Sequence, residues 1–105
     1  MKPSLLVIRC QDIETSKAFY EALGLTFSKE KHGGGAEHYS SEIEGFVFEI
    51  YPSSSTKAQD NTRLGFEVPD LQVRLPNLEI SETYEFEGKK VYILIDPDGR
   101  KIELS

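Results

Sequence analysis

The chain has 105 residues and a mass of 11.9 kDa, enough for one domain or two half-domains that share a core, but not for two independent domains. The hydrophobic share of 38%, the charged share of 29% and the net charge of −6 are typical of a globular protein and argue against disorder and a nucleic-acid partner. A single cysteine excludes an intramolecular disulfide, and no apolar run reaches the roughly 18 residues of a membrane helix, so we expect a cytoplasmic protein without a membrane partner.

The first elements are a strand and a helix. Leu5–Cys10 is rich in Leu, Val and Ile, which favours a strand. Asp12 then stands where a helix N-cap is expected, Ile13–Leu23 carries apolar residues at helical spacing, and Gly24 ends the helix. Tyr20 and Cys10 are expected in the core.

Three strands joined by turns follow the helix. They are predicted at Leu25–Lys31, Glu37–Ile43 and Phe46–Tyr51, with turns at Gly33–Gly35 and Glu44-Gly45. The three glycines form either a mobile tip that closes over a site or a plain turn. His32 and His38 flank this tip, where we expect solvated side chains rather than metal ligands.

The second half repeats the first in outline. A polar linker at residues 52–61 separates a module of residues 1–51 from a shorter module of residues 62–105 within one domain of residues 1–105. Pro69 and Pro76 limit the crossover of the second module to a turn or two of helix. Its strands and turns are predicted at Thr62–Val68, Glu82–Glu87, Gly88-Lys89, Val91–Ile95, Asp96–Gly99 and Lys101–Ser105.

Residue parity assigns the two faces of these strands, because side chains alternate across a strand. In the strands that open or close each module, every even position is apolar, from Leu6 to Cys10 and from Phe46 to Ile50, and likewise in the second module. The odd positions are mostly polar. We therefore expect the even face to be core and the odd face to be either solvated or a ligand pocket.

Aligned carboxylates on the odd face favour the pocket. Glu49 and Glu103 recur 54 residues apart in the last strand of each module, and apolar Leu5, Val7 and Val47 lie beside the first of them. The candidate ligand-binding residues on this face are Arg9, Glu49, Tyr51, Arg63, Glu67 and Glu103.

Four segments in this order resemble the vicinal oxygen chelate superfamily, which includes glyoxalases, bleomycin-resistance proteins and extradiol dioxygenases. The segments are Val7–Leu25, Gly45–Pro52, Gly65–Leu71 and Asp96–Leu104. The resemblance implies an α+β fold of two βαβββ modules, the second with a shortened helix, whose antiparallel or mixed sheet forms a cup around the functional site.

The resemblance also implies four metal-ligand positions, which fall here on Leu5, Glu49, Arg63 and Glu103. Leu5 has no donor atom and Arg63 stays protonated. A divalent ion about 4 Å from a guanidinium would meet a repulsion of roughly 8 kcal/mol at an effective dielectric of about 20. We therefore expect no metal cofactor there, and expect Arg63 either to pair with Glu49, Glu103 or both, or to point into water.

These expectations favour a metal-free small-molecule binding protein of the glyoxalase or bleomycin-resistance type, with a cationic ligand on the odd face. One alternative is a metal-dependent lyase, isomerase or dioxygenase that uses Glu49 and Glu103 with ligands from a partner chain or His38. A second alternative is a non-catalytic dimeric interaction module.

We expect a homodimer whichever of these three functions the protein has. The short second crossover predicts poor cover for Leu64, Phe66, Val68 and Ile102, and a second copy would bury them.

Overall fold

The structure is a computed structural model that describes residues 1–54 and 60–105. It divides into two compact units, residues 1–57 and 58–105. Half of the predicted linker, residues 55–59, lies outside the described residues.

The first unit contains one helix and four strands. The elements are β1 at Leu5–Cys10, α1 at Ile13–Ala22, β2 at Ser28–Glu30, β3 at His38–Ile43 and β4 at Phe46–Pro52. The helix α1 follows β1 directly, and the other three strands come after it. The sheet has the order β1-β4-β3-β2, in which β1 and β4 are parallel and the other neighbours antiparallel.

The second unit repeats this topology: its first and last strands are parallel neighbours, and its other neighbouring strands are antiparallel. Its helix α2 spans only Leu71–Arg74 and continues into a 3-10 turn at Leu75–Asn77, which confirms the predicted short crossover. None of the helices in the described residues is long and apolar enough to cross a membrane. The strands are β5 at Arg63–Phe66, β6 at Glu82–Phe86, β7 at Lys89–Ile95 and β8 at Lys101–Leu104.

The two βαβββ arrangements confirm the predicted α+β class. Several strands are shorter than predicted, most clearly β2, which begins at Ser28 rather than at Leu25. Thr26 is exposed and only Phe27 of this approach contacts the core aromatics, so sheet pairing starts later than strand propensity indicates.

Helix α1 begins at the predicted cap. The Asp12 Oδ1 atom accepts hydrogen bonds from the backbone N–H groups of Glu14 and Thr15 at 2.9 and 3.3 Å. These bonds satisfy donors that the first helical turn leaves without an intrahelical partner. The helix ends before Gly24, whose φ of 117° is one that residues with a Cβ rarely adopt.

Burial follows the predicted parity. Ile8, Cys10, Phe48 and Ile50 are buried in the first unit, and Tyr20 of α1 packs edge-to-face on Phe48 with 5.2 Å between ring centroids. In the second unit Ile102 and Leu104 are fully buried. The odd positions of the same strands are exposed or half-buried, so the even face is the core.

The prediction that four apolar side chains of the second unit are poorly buried is wrong for two of them. Ile102 is fully buried and Leu64 is 9% exposed in the single chain, whereas Phe66 and Val68 are half-buried. Leu71 is buried too, so even four residues of helix place an apolar side chain in the interior.

One hairpin turn lies one residue earlier than predicted. Glu87 and Gly88, not Gly88 and Lys89, form the turn between β6 and β7, with φ values of 51° and 75°. Two positive φ angles in succession are typical of the two-residue hairpin turns whose twist matches that of the strands. This turn sets the β6–β7 register and pairs Tyr84 with Val91.

Candidate functional site

The sheet order of the first unit places the side chains of Arg9, Tyr51, His38 and Glu30 in one row across the four strands. Arg9 of β1 pairs with Tyr51 of β4, and Glu30 of β2 pairs with His38 of β3. We call Arg9, Tyr51, His38 and the neighbouring Glu49 the Arg9 patch. Sequence analysis predicted three of these four as ligand-binding residues, and the fold brings them together.

Contacts with the Tyr51 ring hold the side chains of the Arg9 patch together. The His38 imidazole stacks on the Tyr51 ring with 4.0 Å between centroids and an angle of 9° between planes. The Arg9 guanidinium carbon lies 4.9 Å from the centroid of the same ring. Stacked and cation–π contacts of this kind limit the rotamers of all three side chains.

His38 does not lie solvated at the hairpin tip, as sequence analysis expected. It is the first residue of β3 and only 1% exposed. Its Nδ1 atom lies 3.1 Å from the Ala36 carbonyl oxygen, and its Nε2 atom lies 3.3 Å from Glu30 Oε1 and 3.8 Å from Glu49 Oε2. His32, by contrast, is mostly exposed.

The position of His38 could have been inferred from a turn that was predicted correctly. Glu44 and Gly45 join β3 to β4, and Ile43 pairs with Phe46 on either side. Counting five residues outward from this pair places His38 opposite Tyr51. The three adjacent glycines obscured this signal, because they placed His38 beside a turn, where side chains are usually solvated.

A hollow of about 560 Å³ adjoins Arg9 at the end of β4. It is lined by Arg9, Ala36, Pro52, Ser53 and Ser54.

Glu103 is the centre of a second group of side chains, in the second unit. Arg63 Nε donates a 2.8 Å hydrogen bond to Glu103 Oε2, and the Tyr84 hydroxyl donates to Glu103 Oε1. The pKa of Glu103 therefore lies below its ordinary value, chiefly through the Tyr84 hydrogen bond and further through Arg63. Burial opposes this shift. We call Arg63, Tyr84, Glu103 and Glu67 the Glu103 patch.

The structure thus places Arg63 against one of its two expected carboxylate partners. Arg63 does not extend into water without a partner, although its side chain is 49% exposed. Sequence analysis missed Tyr84, because its approach to Glu103 depends on the β6–β7 register that the shifted turn determines.

An open hollow of about 510 Å³ lies beside Glu103, a volume within the range of small-molecule sites. Aromatic side chains form one wall, since Tyr84 and Phe86 are 39% and 61% exposed on β6. Glu67, a predicted ligand-binding residue, also lines this hollow. Its Oε2 atom lies 3.7 Å from Lys89 Nζ, and its side chain is 87% exposed. The lining consists of Gly65, Phe66, Glu67, Tyr84, Phe86, Val91, Glu103 and Ser105.

The four metal-ligand positions implied by the resemblance do not suit a divalent ion. Leu5 is 56% exposed and has no donor atom. In the equivalent place of the second unit, Arg63 already donates to Glu103 and adds a positive charge beside it. Of the four positions, only Glu49 and Glu103 offer oxygen ligands, one in each unit.

Comparison with known proteins agrees with this architecture. The crystal structure of SMU.1112c matches with a TM-score of 0.75 and 21% identity, over 99% of this chain and 97% of that one. The glyoxalase family protein from Enterococcus faecalis matches with a TM-score of 0.70 and 24% identity, over 98% and 95%. The lactoylglutathione lyase from Agrobacterium tumefaciens matches with a TM-score of 0.71 and 13% identity, over 98% and 91%.

These likenesses show the fold. No curated protein matches the chain. A family model described as the Glyoxalase/Bleomycin resistance protein/Dioxygenase superfamily matches residues 3–104, nearly the whole sequence. With the paired βαβββ units, this match shows that the chain belongs to the glyoxalase/bleomycin resistance protein/dioxygenase superfamily.

Proposed function

We propose that the protein binds a cationic small molecule on the odd face of its strands, without a metal ion on Glu49 or Glu103. The observation that carries this proposal is the pairing of Glu103 with Arg63 and Tyr84. A carboxylate that already accepts hydrogen bonds from a guanidinium and a phenol has little need of an ion, and the fixed positive charge repels one.

The hollow beside Glu103 supports binding rather than a purely structural role for this face. The side chains of the described residues leave its volume of about 510 Å³ open. The exposed rings of Tyr84 and Phe86 offer apolar area and π faces, and Glu67 offers a carboxylate at the rim.

Charge selects the class of ligand. Aromatic faces attract cations within about 6 Å of the ring centroid, most strongly where water is excluded. The net charge of −6 raises the local concentration of cations around the whole molecule. An aromatic or alkyl amine, with an apolar body for Phe86 and a positive head for Glu67, fits both features.

A matched series of ligands tests the proposal. Benzyltrimethylammonium, benzyl alcohol and benzoate share a ring and differ in charge, and each is titrated into protein kept in EDTA. We expect the cation to raise the melting temperature in a saturable manner, because a ligand that binds only the folded state stabilises it. We expect little effect of the neutral compound and none of the anion.

Two variants locate the site. Phe86→Ser removes an exposed ring of the hollow and should weaken binding of the cation by about tenfold, the value of a cation–π contact plus its apolar area. Val73→Ser removes a comparably exposed apolar side chain from α2 and should leave binding unchanged. Equal binding of all three compounds would contradict the proposal. Binding of the cation that occurs without EDTA but not in EDTA would contradict it as well.

We also propose that the protein is a homodimer. The exposed apolar residues Leu5 and Val7 support this, because they lie on β1 at the edge of the first sheet. Small superfamily domains often pair, and an apolar sheet edge is a surface that pairing protects.

A further inference from the structure

We propose that Glu30, His32 and His38 bind one divalent transition-metal ion of the Zn²⁺ type, at a site separate from Glu49 and Glu103. One ligand atom from each of the three side chains lies within 4.8 Å of the other two. The proposal does not rest on the proposed function, since all three residues belong to the first unit and the hollow beside Glu103 belongs to the second.

Two of the three distances between the ligand atoms match a tetrahedral ion, and the third, between the two imidazoles, is at most 4.8 Å. Glu30 Oε1 lies 3.3 Å from His38 Nε2 and 3.5 Å from His32 Nε2. Two ligand atoms at about 2.05 Å from a tetrahedral zinc ion are about 3.3 Å apart. Both imidazoles therefore already stand at the separation from the shared carboxylate that one ion would require.

His38 is oriented as a ligand by its other ring nitrogen. The Ala36 carbonyl oxygen, 3.1 Å from Nδ1, can only accept a hydrogen bond, so Nδ1 carries the proton. In the neutral imidazole, the lone pair is then on Nε2, which faces the carboxylates of Glu30 and Glu49. A lone pair that faces the Glu30 carboxylate is stabilised when a cation lies between the two groups, and a backbone carbonyl on the far nitrogen is a common partner of metal-bound histidine.

The surroundings hold His38 in this orientation. Its ring is buried and stacked on Tyr51, so the imidazole has little freedom to turn away. Pairing of β2 with β3 places Glu30 directly opposite it.

The hairpin tip supplies the third ligand. The Gly35 N–H group donates a 2.9 Å hydrogen bond to the His32 carbonyl oxygen, which closes a turn and keeps His32 beside Glu30. Gly33 within this turn has a φ of 57°, and no other group lies within 4 Å of where its Cβ would be. His32 itself is exposed, so an ion bound here keeps a coordination position open to water or to a small oxygen ligand.

Titration of tag-free protein, first stripped with EDTA and then dialysed, tests the site. Co²⁺ reports its own coordination by visible absorption, and Zn²⁺ then displaces it. We expect one ion per chain and the intense d–d bands of a tetrahedral complex. The chain contains only two histidines, so ¹⁵N-detected NMR should show both imidazole Nε2 signals shifting together as zinc is added.

Variants separate a built site from adventitious binding. Loss of a group that merely supports a ligand costs about 10–100-fold in affinity, so His32→Ala and Glu30→Gln should each weaken zinc binding by at least about tenfold. His32 is exposed, and its removal should leave folding intact. Glu42→Gln changes an exposed carboxylate on the same strand as His38 and should leave the affinity unchanged.

Equal zinc affinity in His32→Ala and the parent chain would overturn the proposal, as would octahedral cobalt spectra or no saturable binding below 1 mM, a limit of about −4 kcal/mol. Binding of benzyltrimethylammonium, measured in EDTA, is an independent readout. A negative result for the metal site therefore leaves the proposed function untouched, and absence of cation binding in EDTA leaves the metal site untouched.

Discussion

At the scale of single residues, Glu103 stands at a position where the family resemblance implies a metal ligand, and its carboxylate is held by protein contacts. The carboxylate accepts hydrogen bonds from Tyr84 and Arg63, and its pKa is lowered while that of Tyr84 is raised. Both shifts have the same cause, because the hydrogen bond stabilises the ionised carboxylate and the protonated phenol. Each shift links folding to pH on one side of neutrality.

The sign of each linkage follows from the direction of the shift. The lowered pKa of Glu103 contributes stability that is present above its ordinary value of 4.5 and is lost as pH falls through the folded value. The raised pKa of Tyr84 contributes stability that is present below its ordinary value of 10.0 and is lost as pH rises through the folded value.

We therefore predict that Glu103→Gln lowers the urea midpoint at pH 7 and has progressively less effect towards pH 3, because the parent chain loses the same interaction there. Urea denaturation between pH 3 and pH 7 measures this. Glu85→Gln, at an exposed position of β6, is the matched control and should shift the midpoint little at any pH. A Glu103→Gln effect that does not change with pH would refute the assignment.

At the scale of elements, the two hairpin turns decide which side chains meet. Glu44-Gly45 and Glu87-Gly88 each place two residues in succession at positive φ. The first turn sets the β3–β4 register and hence the His38–Tyr51 stack. The second sets the β6–β7 register and hence the approach of Tyr84 to Glu103.

Gly88→Ala should test the second turn. A Cβ at Gly88 meets no atom within 4 Å, so its cost is the positive φ of 75° alone, which is about 1–2 kcal/mol for an L-residue. Gly34→Ala is the control, because Gly34 is equally open and has no positive φ; it should change the free energy of unfolding by less than about 1 kcal/mol. Chemical denaturation of both variants measures the difference, and equal stabilities would argue against the turn geometry.

At the scale of the whole molecule, repetition of one βαβββ topology explains the family membership. The parallel pairs β1–β4 and β5–β8 place Val7 opposite Glu49 and Gly65 opposite Glu103, so the two glutamates occupy equivalent places in the two units. The proposed homodimer also belongs to this scale. Its support rests on the exposed β1 edge, since Leu64 and Ile102 are already buried in one chain.

Light scattering across a range of protein concentrations should give twice the chain mass of 11.9 kDa. Leu5→Lys should shift the mass towards that of one chain, because it places a charge on the apolar edge of β1. Val73→Lys adds the same charge at an exposed apolar position of α2 and should not. A single-chain mass at every concentration would mean that the protein is a monomer.

The sequence by itself determined the features that depend on neighbours along the chain. Alternation across strands identified the core face, Asp12 and Gly24 bounded the first helix, and two prolines limited the second. Tertiary structure alone decided which side chains converge. His38 lies buried beside Glu30, Arg63 and Tyr84 donate hydrogen bonds to Glu103, and strand pairing is the cause, because it brings together residues 8 to 40 positions apart. A one-residue difference in a turn changes such pairings, and propensity does not resolve it.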